Sequence, residues 1–327
     1  MPKIFVTRMI PQSGLDLLRE AFPEPDSVAV WEEDRVIPRD ILLERVRGVD
    51  AIMSILTERV DAELLDAAGA QLRIVANMAV GYDNMDVPAA TERNIPLTNT
   101  PGVLTETTAD LAWTLIMAAS RRLGETERYL RAGRWDSWSP TLMLGFDVHG
   151  KTLGIFGMGR IGQAVARRAR AFDMQIIYHS DSQLAAEEEV ALGARYVDKA
   201  TLLRESDILT VHCPLTPETR HVFDAAAFQA MKPTAIFVNT ARGPVVDEAA
   251  LAGALQSGEI FAAGIDVFEE EPAIHPALLE CENAVLAPHI GSATLETRSK
   301  MANIAAGNII ARLRGETPPN CLNPGVL

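Results

Sequence analysis

Short apolar runs alternate with amphipathic stretches along the first hundred residues. KIFVT precedes GLDLLREAF, SVAVW precedes RDILLERVRG, DAIMSIL precedes DAELLDAAG, and LRIVANM precedes DVPAATERN. The runs read as strands, and the stretches after them place apolar residues at helical spacing. Strand then helix, repeated, predicts a mostly parallel sheet covered by helices. NTPG interrupts the pattern. A long helical segment then begins near Thr105, TETTADLAWTLIMAASRRLGETERYLRAG, and its apolar half is nearly continuous, which predicts burial between layers or domains.

A second strand–helix series starts at KTLGIFGMGRIGQAVARRARAF and runs through QIIYHS, DILTVHC, AIFVNT, AAGIDVF and AVLAPH. Another helix follows over roughly 294–314, stopped by Gly315, and the tail GETPPNCLNPGVL is rich in turn residues. The second series, 101–288, reads as one domain. The pattern alone leaves open whether the last helix and tail rejoin the first.

Composition narrows the classes. A chain of 327 residues suggests about two domains. Its net charge of −14, with no long basic run, argues against nucleic acid or an anionic membrane surface as partner of the whole molecule. An anionic ligand needs only a local positive site. Cys213, Cys281 and Cys321 are far apart with no CxxC, which fits reduced thiols in a cytoplasm and no metal site. The start, MPKIFVTRMI, has no charged segment leading into a long apolar run, and no stretch reaches ~18 apolar residues, so the expected location is cytoplasmic.

One stretch carries specific chemistry. Gly157-Met158-Gly159-Arg160-Ile161-Gly162 is a full G-x-G-x-x-G that follows the apolar TLGIF and opens a helix. The first glycine permits a tight turn, the second removes a Cβ that would block a pyrophosphate, and the third lets helix and strand pack closely. Amides at the helix start then face the phosphates. The next strand ends IIYHSDSQ, where a residue meets the adenosine ribose. Ser180 falls at that position with Asp181 next to it, and no Arg or Lys follows closely to hold a 2′-phosphate. The sequence leans to NAD and leaves NADP open.

Three further signals fall at the ends of strands in the same series. Arg242 lies just past AIFVNT, Asp266 ends AAGID with Glu271 before Pro272, and His289 ends AVLAPH. Ligands of open parallel sheets bind beyond the carboxyl ends of strands. A guanidinium binds a carboxylate bidentately, an imidazole exchanges a proton near neutral pH, and a carboxylate orients that imidazole. Those are the parts needed to reduce a 2-keto acid with a nicotinamide hydride.

GMGRIGQAVARRA, HCPLTPETRHVF, MKPTAIFVNTARGPVVDEAAL, GIDVFEEEP and PHIGSAT together resemble the D-isomer-specific 2-hydroxyacid dehydrogenases, over nearly the whole chain. ANMAVGYDNMDVPAATERNIPLTNTPGVLTETTADLAWTLIMAASRR, followed by GRWDSW, is most similar to the glyoxylate/hydroxypyruvate reductase branch. The resemblance implies two doubly wound parallel-sheet domains. One is a flavodoxin-like substrate domain over 1–100 and 289–327. The other is a Rossmann NAD(P)-binding domain over 101–288, with the active cleft at their junction. It makes Arg242 the clamp on the substrate carboxylate, His289 the acid–base and Glu271 its partner. Thr108 and Asp266 would stand near the nicotinamide, and Cys213, Pro214, Thr219, Thr240, Ala241 and Gly291 would join the glycine loop in binding the cofactor. Leu56, Val80, Gly81 and Ser292 would contact the substrate, and Trp138 would reach a partner subunit's pocket.

The implied reaction is reduction of glyoxylate or hydroxypyruvate to the D-2-hydroxy acid. Two readings stay open beside it: a reductase of 2-ketogluconate or another larger 2-keto acid, and a non-catalytic dinucleotide sensor on the same scaffold. Turnover separates the sensor from the enzymes. The insert RAGRWDSWSPTLMLGFDVHG, 131–150, carries enough apolar surface to predict a homodimer contact.

Overall fold

The structure, a computed structural model, describes residues 1–327. In chain order the strands are β1 (Ile4–Val6), β2 (Val28–Val30), β3 (Ala51–Ser54), β4 (Ile74–Asn77), β5 (Leu97–Thr98), β6 (Thr152–Phe156), β7 (Gln175–His179), β8 (Ala194–Tyr196), β9 (Ile208–Val211), β10 (Ile236–Asn239), β11 (Ala262–Ile265) and β12 (Ala284–Leu286). The helices are α1 (Gln12–Ala21), α2 (Arg39–Arg45), α3 (Ala62–Ala68), α4 (Val87–Glu92), α5 (Thr105–Ser120), α6 (Leu123–Arg131), α7 (Arg160–Ala169), α8 (Ala186–Leu192), α9 (Lys199–Glu205), α10 (Ala225–Gln229), α11 (Glu248–Ser257), α12 (Pro276–Leu279) and α13 (Leu295–Leu313). The chain divides into two compact units, Met1–Leu104 with Ser292–Leu327, and Thr105–Gly291.

The first unit is built on a five-stranded parallel sheet of order β2-β1-β3-β4-β5. Successive side chains of a strand point to opposite faces, so Phe5, Ile52, Val75 and Leu97 enter one core while Ile4, Val6, Met53 and Ile74 enter the other. Leu15 and Leu18 of α1 complete the second core together with Ala302, Ala305, Ala306 and Ile309 of α13. The last helix is thus part of the first unit's core, although the whole second unit separates it from the rest in sequence. Thr294 caps its start, its side chain accepting the Thr297 amide at 3.2 Å.

The second unit has a seven-stranded parallel sheet of order β12-β11-β10-β9-β6-β7-β8. From β6 the chain winds outward through β7 and β8, then crosses back to β9 and winds the other way. The order therefore reverses between β6 and β9, the place where doubly wound sheets bind ligands. Both faces of the sheet are covered, each by an apolar core.

Structure and expectation part at three places. The helical stretch that opens at Thr105 is two helices, not one. Arg122 takes a left-handed backbone, φ 52°, and the amide of Phe146 caps α5 by donating to the Ser120 carbonyl at 3.0 Å. The short strands β5 and β8 have no counterpart in the sequence pattern. β5 has two residues, and the edge strand β8 is Ala-Arg-Tyr, too short and too polar to show a period. The short helices between β7 and β10 likewise carry little periodic signal.

Candidate active site

Beyond the carboxyl end of β6, the chain makes its glycine turn. Gly157 has φ +96°, and a Cβ there would stand 2.5 Å from the Cys213 amide nitrogen, so neither backbone nor space admits another residue. A Cβ on Gly162 would stand 2.2 Å from the Gly157 carbonyl oxygen, which shows how closely α7 packs on the turn. Gly159 differs, because its Cβ would meet nothing within 4 Å. No side chain caps α7 at Gly159, so its first amides end in that open space. An uncapped helix start beside an open glycine is the cradle a pyrophosphate needs. Arg160 is exposed and Ile161 half-buried at this helix start.

Ser180 follows β7, and its Oγ accepts the Met158 amide at 3.4 Å. Past β9, Cys213 is buried, and burial pushes its thiol up to about 12, so it is an apolar wall and not a nucleophile. Pro214 is exposed next to it, with its carbonyl accepting the Thr219 hydroxyl at 2.8 Å. Past β10, Thr240 is buried with its hydroxyl 3.5 Å from Nδ1 of His212. Burial of the His212 ring lowers its pKa to about 3, so it serves as a neutral hydrogen-bond partner.

Arg242 stands on a turn that Asn239 ties at both ends. The Asn239 Oδ1 accepts the Ala241 amide at 3.0 Å, and its Nδ2 donates to the Arg242 carbonyl at 2.9 Å. Asn239 is 1% exposed, so both bonds are shielded from water. Sequence reasoning misses it, although an Asn at the end of an apolar strand is the signal that finds such a turn.

Asp266 and His289 are joined through the backbone. The His289 amide donates to the Asp266 carbonyl at 2.8 Å. The Asp266 carboxylate then accepts the next two amides, Ile290 at 2.7 Å and Gly291 at 2.8 Å. Burial pushes the Asp266 carboxyl up to about 6, against the pull of those amides and of His289. The Thr108 hydroxyl, on buried α5, donates to the Gly291 carbonyl at 3.1 Å and closes the turn from above.

Nδ1 of His289 lies 2.7 Å from Oε2 of Glu271, and the Phe268 amide donates to Oε1 of the same carboxylate at 3.0 Å. Burial alone would raise the Glu271 carboxyl. The His289 hydrogen bond and charge, the Phe268 amide and the charge of Arg242 outweigh it and hold Glu271 below the usual carboxylate range. An ionised Glu271 fixes the proton on Nδ1, which leaves Nε2 as the ring atom that exchanges a proton. The side chains of His289 and Glu271 remain 30% and 36% exposed, so a small solute reaches the pair.

The second unit therefore brings Thr108, Gly157, Gly159, Ile161, Gly162, Ser180, Cys213, Thr240, Ala241, Arg242, Asp266, Glu271, His289 and Gly291 to the carboxyl-end edge of its sheet and the turns that follow. Leu56, Val80 and Gly81 lie past β3 and β4 in the first unit, where Asn99 and Asn77 donate to the carbonyls of Val80 at 2.8 Å and Gly81 at 3.2 Å. Ser292 opens that unit's returning segment. Trp138 is 78% exposed on the loop after α6. No three His, Cys, Asp or Glu side chains are grouped as a metal ion would need, and no helix is long and apolar enough to cross a membrane.

Comparison with known proteins agrees with the fold. Residues 113–291 match a family model described as the NAD binding domain of D-isomer specific 2-hydroxyacid dehydrogenases. A glyoxylate reductase of Thermococcus kodakarensis is 52% identical over 330 aligned residues, covering 100% of this chain and 97% of that protein. The crystal structure of the TT0316 protein from Thermus thermophilus superposes with a TM-score of 0.90 at 43% identity, covering 98% of this chain and 99% of that one. An NADPH-dependent glyoxylate/hydroxypyruvate reductase of Sinorhizobium meliloti, solved with NADP and malonate, gives a TM-score of 0.82 at 35% identity, covering 99% and 97%.

Proposed function

The chain belongs to the D-isomer specific 2-hydroxyacid dehydrogenase family, and on that premise we propose that it reduces glyoxylate or hydroxypyruvate to the D-2-hydroxy acid, with NADH as the preferred cofactor. The observation that carries the reading is the 2.7 Å contact of His289 with Glu271 at the same sheet edge as the open glycine cradle. The curated relative is named for glyoxylate, and a structural neighbour for glyoxylate and hydroxypyruvate.

The dinucleotide fits the residues present. Gly157, Gly159 and Gly162 with the start of α7 would hold its pyrophosphate, Ser180 its ribose, and Thr108, Thr240 and Asp266 its nicotinamide end. When bound in reduced form it supplies the hydride. His289 gives the proton from Nε2 to the keto oxygen, and its positive charge stabilises the oxygen as negative charge develops there. Arg242 holds the substrate carboxylate, so the carbonyl is presented in one orientation. Glu271 keeps the imidazole in its working tautomer. In the reverse direction neutral His289 takes the proton.

Asp181 and the acidic stretch Glu187–Glu189 support the NADH preference, because no Lys or Arg in 180–189 would pair with a 2′-phosphate. Initial rates with glyoxylate, hydroxypyruvate, pyruvate and 2-ketogluconate, each with NADH and NADPH, test substrate and cofactor together. The expected result is a higher kcat/KM for one of the first two, with NADH. His289→Gln should lower kcat by roughly 100-fold or more while NADH binding, read by fluorescence, persists. Full turnover by that variant would remove the histidine from the mechanism.

The same reading includes a homodimer. A concavity of about 1180 Å³ on the second unit is lined by Trp113, Met117, Leu123, Leu130, Trp135 and Leu142 among others. Leu123, Leu130 and Trp135 are more than half exposed. An apolar surface of this kind next to the 131–150 insert suits a second copy of the chain.

A further inference from the structure

Behind the Glu271–His289 pair lies a second pair of carboxyl groups that the proposed chemistry does not use. Glu248 is the first residue of α11 and is 5% exposed. Its Oε1 accepts the Glu269 amide at 2.5 Å, and its Oε2 accepts the His275 amide at 2.9 Å. Those two amides bracket the loop that carries Glu271. In return Oε2 of Glu269 accepts the Glu248 amide at 3.1 Å, while Oε1 of Glu269 lies 2.5 Å from Nε2 of His221. The loop is also pinned from its other side. A Cβ on Gly243 would stand 1.8 Å from the carbonyl group of Phe268, so the residue after Arg242 lies flat against the start of the loop.

We propose that Glu248 is a positioning residue for the acid–base pair: by tying both ends of the 269–275 loop to α11, it holds the Glu271 carboxylate against His289. The inference rests on the acid–base reading given above. Its physical ground is the character of the loop itself. Three successive glutamates, Glu269 to Glu271, favour water and repel one another, so an untied loop swings outward. Glu248 offers two acceptor oxygens from a fixed helix start, and each finds a backbone amide. Of the charged and titratable groups around Glu271, His289, Arg242 and Asp266 lie on the chemical side. Glu248, Glu269, His221 and His275 lie on the supporting side, and Glu270 is its neighbour in the loop.

Glu248→Gln preserves shape but turns an NH2 group toward one of the two backbone amides, so one tie is lost. Glu248→Asp keeps the charge and shortens the reach by one methylene. The first readout is the downfield ring N–H resonance of His289 in the protein without cofactor, assigned by its absence in His289→Gln. It should be sharp in the wild type and broadened or lost in both Glu248 variants, because the Glu271 hydrogen bond protects that proton from exchange. The second readout is kinetic. Glu248→Gln should lower kcat for keto-acid reduction roughly tenfold and leave the dissociation constant for NADH within about twofold. Added to Glu271→Gln, it should change kcat by less than about twofold, since the group it positions is already gone.

An unchanged His289 resonance in a folded Glu248 variant would overturn the proposal. So would an equal loss of kcat in the Glu271→Gln background, which marks a role in stability alone. If Glu248→Gln does not fold, Glu248→Asp carries both tests with the same outcomes. If the wild type reduces no 2-keto acid, the functional reading falls, and the resonance still decides whether Glu248 holds the pair.

Discussion

His289 has a backbone φ of 51°, in the left-handed region that L side chains rarely adopt. Three hydrogen bonds from successive amides to Asp266 keep it there, so the strain is matched by local pairing. The rate of reduction should carry the imprint of Glu271. Its carboxyl is held below the ordinary value of 4.5, so the ionised, histidine-orienting form is fully present above that pH and is lost as pH falls through the lowered value. The wild-type rate profile should therefore show an acid limb below pH 4.5, and Glu271→Gln should abolish that limb while lowering kcat at every pH. An acid limb that survives in Glu271→Gln belongs to another group. At this scale the sequence was readable wherever a residue ends a strand. Arg242, Asp266 and His289 stand out because apolar runs stop at them. Glu248 does not, since an acid in the first turn of a helix is ordinary, and its partners lie 21 and 27 residues away.

Among the elements, the β6–α7 turn was the most legible, because three glycines at fixed spacing have few other uses. The structure separates their roles in a way that spacing does not. Gly162→Ala places a Cβ on the Gly157 carbonyl and should destabilise the fold by about 1–3 kcal/mol, lowering Tm in thermal denaturation. Gly159→Ala meets nothing, so its stability should stay within about 0.5 kcal/mol of wild type. Its Cβ enters the space left for a pyrophosphate, and NADH affinity should fall roughly tenfold or more by titration calorimetry. Equal effects of the two substitutions on binding and on stability would contradict this division. The break between α5 and α6 was not legible. It is set by Gly145 and Phe146, whose loop comes back over Ser120; a Cβ on Gly145 would stand 2.1 Å from the Ser120 carbonyl oxygen. A window sliding along 105–133 contains neither residue.

At the scale of the molecule, the apolar groove predicts association. Sedimentation at micromolar concentration should give the mass of two chains, and Leu130→Asp, which puts a charge on a groove-lining side chain that is 57% exposed, should give the mass of one. A wild-type monomer under those conditions would refute the dimer. Alternation of strand and helix announced parallel sheets covered by helices, as observed, because a sheet covered on both faces leaves strands almost uniformly apolar; that there are two, both doubly wound, was implied only by the family resemblance. Where the last helix belongs was beyond any local pattern, because its partners, Leu15 and Leu18, sit near the opposite end of the chain.

That placement of α13 has a consequence for biosynthesis. A ribosome delivers Thr105–Gly291 as one uninterrupted segment, with every strand of its sheet in hand before translation ends. The earlier segment, Met1–Leu104, supplies the strands that α1 packs on, but the side of that core formed by Ala302, Ala305, Ala306 and Ile309 is missing until residues 295–313 leave the exit tunnel. The core of the first unit is thus completed last, after the middle of the chain, and the interval in which it lacks the α13 side is the one in which a chaperone would find it.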